Sequence, residues 1–239
     1  HTIFCQVTGV QTCALPIFYR INEKNRLTAF FSYNTQKEEL LPIIHENKPP
    51  QPLEEQTNRG VGLYYNSKLQ EIGLSAYYFY KHYLENEKYP DGKTHAVGAR
   101  VAIPFLQHFA FISEFACQFG KSDRFNRQGY GGYSRLEYRF DPSVPFFKKL
   151  YAGGYYLSGD DPKTEKIEAW DPLWSRWPKW GESYIYTLIL ENRGKVAYWS
   201  IINSLNLGLK TAFTEKVSLD VDFHHLSAFE ENTMRMTLP

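Results

Sequence analysis

The stretch HFAFISEFACQFG, residues 108–120, decides the fold class. It puts Phe109, Phe111, Phe115, Cys117 and Phe119 on one side, against Ile112, Glu114 and Gln118 on the other. A period of two marks a strand with two unlike faces. The segment GYSRLEYRF (132–140) repeats the pattern, with Leu136, Tyr138 and Phe140 against Arg135, Glu137 and Arg139.

The alternation recurs in both directions. Upstream it runs through RLTAFFSYNT (26–35), RGVGLYYNSK (59–68), EIGLSAYYFYKHYL (71–84) and THAVGARVAI (94–103), where Arg100 falls opposite the valines. Downstream it runs through KLYAGGYYLSG (149–159), WSIINSLNLGLKTAF (199–213) and VSLDVDFHHLSAF (217–229), which sets Asp220, Asp222 and His224 against Leu219, Val221 and Phe223. Nine strands are expected. Most are longer than the five or six residues usual in globular sheets, and they match the roughly 9–11 residues of a tilted membrane-barrel strand.

Composition agrees with this pattern. The 239 residues include 18 Tyr, 17 Phe and 5 Trp, yet the mean hydropathy is -0.47. An apolar, aromatic face alternating with a polar one accommodates both facts. No apolar run approaches the 20 or so residues of a membrane helix. The formal charge of +1 gives no case for nucleic acid as a partner.

Connections add a further expectation. Short turns are expected at 66–70, 104–107, 141–147 and 213–216, and longer polar loops at 36–58, 85–93, 121–128 and 159–198. Such alternation is the habit of outer-membrane barrels. Parity places SYIYTLILEN (183–192) inside the last loop, as a helix or non-spanning ribbon. Tyr77, Tyr78, Tyr80 and Tyr83, with Tyr151, Tyr155 and Tyr156, are expected in interfacial girdles.

The fold class expected is therefore all-β, an antiparallel up-and-down transmembrane barrel. The chain would supply about nine strands, an incomplete fragment because closure needs an even number. The location expected is the bacterial outer membrane, with the lipid bilayer as a partner. Residues 7–17, VTGVQTCALPI, resemble a translated sequencing adapter, so residues 1–17 are set aside and 18–239 are taken as the barrel domain. Both native ends are expected to be missing. Cys117 is the one cysteine beyond that segment, which leaves no disulfide framework.

From residue 131 to 230 the chain resembles the alginate export family of outer-membrane proteins. The resemblance is carried by YAGGYYLSGDDPKTEKIEAWDPLWSRWPKWGE (151–182), AYWSIINSLNLGLK (197–210) and LDVDFHHLSA (219–228). It implies a monomeric barrel of roughly eighteen strands that passes an anionic polysaccharide, with periplasmic export components as partners. The general diffusion porin and the non-transporting surface barrel, an adhesin or anchor, remain alternatives.

Candidate path residues follow from the polar phase: Arg100, Glu114, Arg135, Glu137, Arg139, Asp220 and Asp222. Arginine can meet sugar carboxylates through bidentate hydrogen bonds, but lumen charges also form ladders that brace a wall. In the long loop, Asp160 and Asp161 suit a turn better than a cation site. Trp170, Trp174, Trp177 and Trp180 crowd together with Arg176 and Lys179, suited to sugar stacking, headgroup contact or an inward-folded plug. No Ser–His–Asp ordering, phosphate loop or metal-ligand spacing stands out. The residues point away from an enzyme and imply no cofactor.

Overall fold

The computed structural model describes residues 13–36, 56–161, 163–174 and 202–227. These residues form an all-β, up-and-down sheet of eleven strands. In chain order they are β1 (Cys13–Arg20), β2 (Asn25–Asn34), β3 (Asn58–Leu69), β4 (Ile72–Tyr83), β5 (Gly92–Phe105), β6 (Phe109–Ser122), β7 (Phe125–Arg139), β8 (Phe147–Leu157), β9 (Lys166–Ile167), β10 (Ile202–Ala212) and β11 (Ser218–Ser227). Each long strand pairs antiparallel with its neighbours, from β1 at one edge to β11 at the other. The two-residue β9 lies off this path and pairs parallel with β7 at Asn126 and Arg127. The described sheet is open, with β1 and β11 as its edges.

The register fixes two faces. Along the ladder from β4 to β7, the pairs Phe79↔Ala96, Ala96↔Gln118 and Gln118↔Gly129 share one face, and the neighbouring pairs Tyr80↔His95, His95↔Phe119 and Phe119↔Gln128 share the other. The first face is polar or small and mostly buried; Phe79, Ala96, Glu114, Ala116 and Gln118 all lie there. The second face is apolar and bare. Val61, Leu63, Val97, Phe111, Phe115, Phe119, Leu136, Leu205, Leu207, Val221 and Phe223 are exposed on it, Phe115 by 56%.

Two rows of aromatic rings border the bare face. At one end Tyr78, Tyr80, His95 and Phe119 touch, with His95 stacked on Phe119 at 5.1 Å. At the other end Phe105, Phe109, Tyr138, Phe140 and Phe147 form a chain of contacts at 5.0–5.6 Å. Between the rows no Asp, Glu, Lys or Arg stands on this face among the described residues.

Several expectations need correction. The sheet has ten long strands and one short one, not nine. β1 lies partly inside the segment set aside, where no alternation was read. An open strand edge recruits a partner through backbone groups, with little demand on side chains. β7 begins at Phe125, so the loop expected at 121–128 is a tight turn at Asp123–Arg124. Arg127, Gly129 and Gly131 hid the strand, because glycines carry no face signal. The tyrosines divide between faces: Tyr78, Tyr80 and Tyr156 join the bare side, whereas Tyr77, Tyr83, Tyr151 and Tyr155 pack on the polar side. Residues 183–192 lie outside the described residues.

Glycines on the polar face are seats for rings. The Tyr77 ring lies over Gly98, where an added Cβ would meet Tyr77 Cζ at 2.3 Å. Tyr77 in turn stacks on Tyr64 at 5.6 Å and on Phe79 at 4.9 Å. Replacing Gly98→Val should therefore overpack this cluster and cost about 1–3 kcal/mol, read as a lowered denaturant midpoint; an unchanged midpoint would show that the ring has room to move.

Candidate functional site: the polar face and its covering loop

All seven path residues proposed from sequence lie on the polar face. Arg100 faces Glu114 across β5 and β6, Tyr133 follows on β7, and Arg135 and Glu137 continue along β7. Asp220 and Asp222 stand on β11 opposite Lys210 and Gly208.

Six of the seven are held by partners on this face. The buried Glu114, 2% exposed, accepts a hydrogen bond from Tyr77 at 2.9 Å. Arg100 Nε donates to the Tyr133 hydroxyl at 3.1 Å. Glu137 Oε1 pairs with Arg135 at 2.7 Å and with Lys149 at 3.0 Å. The Arg135 guanidinium stands 5.0 Å from the Tyr151 ring centre, and Tyr151 donates to Asp222. Lys210 pairs with Asp220. Low local dielectric strengthens such a network and makes each missing partner costly. The ladder is a brace across β4–β8 and β10–β11. Arg139 is different: it is exposed at the end of β7, directly opposite Lys149.

Part of the loop after β8 folds onto this face. Ser158 starts it, donating to the Glu168 carbonyl at 2.6 Å and accepting from Tyr130 N at 3.0 Å. Asp160 accepts from Glu168 N at 2.8 Å and Asp161 from Lys163 N at 2.9 Å. Both carboxylates thus shape turns. Among the described residues no cluster of His, Cys, Asp and Glu is grouped to hold a metal ion.

The loop is anchored by Asp171, which the sequence reading passed over. Its carboxylate accepts from Tyr83 at 2.8 and 3.0 Å, from Thr94 at 3.0 Å and from Leu173 N at 2.8 Å. Its backbone exchanges two bonds with the Gln118 amide, at 2.6 and 2.8 Å. Lys81 donates to the Leu173 carbonyl, and Arg127 to that of Ala169 at 3.2 Å. One acidic residue therefore ties the loop to β4, β5 and β6. Burial alone would raise its carboxyl. The Arg127 and Lys81 cations, with the bonds from Leu173 N and Tyr83, outweigh burial and hold it below the usual range.

Two indoles complete the seal. Trp170 is buried over Gly131, and Trp174 over Gly60, where an added Cβ would meet its ring at 2.3 Å. Trp174 meets Phe30 edge-on at 5.4 Å and Phe79 at 6.3 Å. Lys81 Nζ sits 5.4 Å from the Trp174 ring centre. Leu173 takes a positive φ of 57° between them, a strained conformation for a bulky residue. Trp170 and Trp174 fold back onto the polar face of the sheet. Arg176, Trp177, Lys179 and Trp180 lie outside the described residues.

Replacing Asp171→Ala removes the acceptor that Tyr83 on β4 and Thr94 on β5 share, loosens the loop and should cost about 1–3 kcal/mol, with faster proteolysis within 163–174. Because the Asp171 carboxyl is depressed, its contribution is complete above the ordinary value of 3.8 and is lost as pH falls below it. Tryptophan emission should accordingly shift red on acidification below that value, and the Asp171→Asn variant should show no such step. Comparisons with family models, with curated proteins and with solved structures find no match to this chain.

Proposed function

We propose that this chain forms wall of an outer-membrane β-barrel channel for anionic solutes, an alginate-like polysaccharide among them. The observation that carries the reading is the bare apolar belt between two rows of aromatic rings. Exposed apolar area on this scale calls for a covering phase. On β6 the rows are marked by Phe119 and Phe109. At about 3.4 Å per residue and a tilt of about 40°, that separation spans about 25 Å across a membrane. This is the height of the apolar band on outer-membrane barrels.

The polar face suits a water-filled interior. Its charges are mixed, which supports a braced wall with modest selectivity over a strongly single-signed path. Arg139, exposed beside Lys149, is the residue best placed to meet a carboxylate in transit. The likeness of residues 131–230 to the alginate export family supports a polyuronate as the solute. A second reading is favoured by the docked loop: a barrel whose interior residues 158–174 obstruct, with no transport.

A closed barrel built on this chain, reconstituted in planar bilayers, should carry current with anion preference and be blocked by polyuronate oligomers. Replacing Arg139→Glu should lower that preference, whereas Arg135→Glu should chiefly destabilise by facing Glu137. Absence of current in both the parent and the Asp171→Ala variant would favour the non-transporting barrel. For the belt itself, Phe115→Arg should destabilise the bilayer-inserted protein by about 2–4 kcal/mol and Phe119→Arg by about 0–1. Equal, small effects in urea titrations from vesicles would argue for a water-facing sheet.

A further inference from the structure

Just beyond the Tyr80–His95–Phe119 row, the register aligns four basic side chains on the bare face. Arg59 on β3 is opposite His82 on β4; His82 is opposite Lys93 on β5; Lys93 is opposite Lys121 on β6. Neighbouring strands lie about 4.8 Å apart, so the row runs about 14 Å along the rim of the belt. Among the described residues no comparable row borders the belt at its other end.

Among the described residues a single carboxylate, Asp91, touches the row. Arg59 donates from Nε and Nη2 to His82 Nδ1, both at 3.3 Å, and His82 Nε2 donates to Asp91 Oδ1 at 2.6 Å. Asp91 is thereby committed to the histidine. Lys93 and Lys121 are exposed and directly opposed, and no ion pair engages either among the described residues. Like charges directly across a ladder repel. An anion between them would turn that repulsion into two charge-assisted bonds.

We propose that this row seats the phosphate groups of a glycolipid in the leaflet at the loop end of the barrel. The proposal rests on the membrane reading above. Acyl chains would lie on the belt below, along Val97, Phe115 and Phe119, and the phosphorylated headgroup would meet Lys93, Lys121 and Arg59. The end is set by the connections: the rim with the row carries the long segments 35–57 and 158–201. Long loops face outward in outer-membrane barrels. Juxtaposition of an apolar wall and a basic rim selects a lipid phosphate over a soluble anion, because both parts must be matched at once.

The test is native mass spectrometry of the chain released from phosphatidylcholine nanodiscs, with or without added lipid A. Parallel arms use dephosphorylated lipid A and free glucosamine phosphate. The parent should retain lipid A and neither of the other two. The Lys93→Gln, Lys121→Gln double variant should retain it about 30-fold less, at about fivefold per lysine. Its heat-modifiable gel mobility should match the parent, which separates lost binding from lost folding. Equal retention by parent and variant, or equal retention of dephosphorylated lipid A, would overturn the glycolipid seat and leave the membrane reading intact. Binding of glucosamine phosphate as tight as that of lipid A would also overturn it. Failure of the parent to enter any nanodisc would overturn both.

Discussion

Two-sidedness is the constraint on which this structure depends. Every long strand sends successive side chains to opposite faces, and every ladder must hold its register for those faces to stay separate. A slip of one residue between β5 and β6 would set Glu114 and Gln118 among the phenylalanines and carry Phe115 beneath the loop. The backbone alone does not forbid such a slip. What opposes it is side-chain chemistry on the polar face: Tyr77 on Glu114, Arg100 on Tyr133, Lys149 on Glu137. Each bond joins elements that the register must align.

The same face carries the loop. Asp171 can be buried only because β4, β5 and β6 present Tyr83, Thr94 and Gln118 at matching heights, and because Lys81 and Arg127 supply positive charge nearby. Large rings can approach the sheet only where glycine leaves room, under Trp174 at Gly60 and under Trp170 at Gly131. Loop and wall are therefore complementary in charge and in shape. The apolar face has no such partner within the described chain, and its rings touch mainly one another along the two rims.

Much of this was legible in the residue order. Strands with strict alternation and branched or aromatic residues, such as β5 and β6, were bounded to within two residues. The seven charged positions were assigned to one face because parity within a strand needs no tertiary information. Reading failed where parity lost its markers. β7 starts in a run holding Gly129, Gly131 and Gly132, and β1 shows no alternation at all. Asp171 was missed for a different reason. Its partners are 53 to 88 residues away in sequence, and a lone Asp beside Trp170 reads locally as a turn former. The WDPLW run stood out, but the role of its carboxylate depends on contacts that only the folded sheet creates.

The open edges have a consequence in handedness of direction. The ten long strands alternate up and down, so β1 and β11 run opposite ways. Two such borders can be joined directly, or through additional antiparallel strands in even number only. One extra strand, or any odd set, would leave a parallel seam. The arithmetic of closure for any assembly built on this sheet is thus already written in the opposed polarity of its first and last strands.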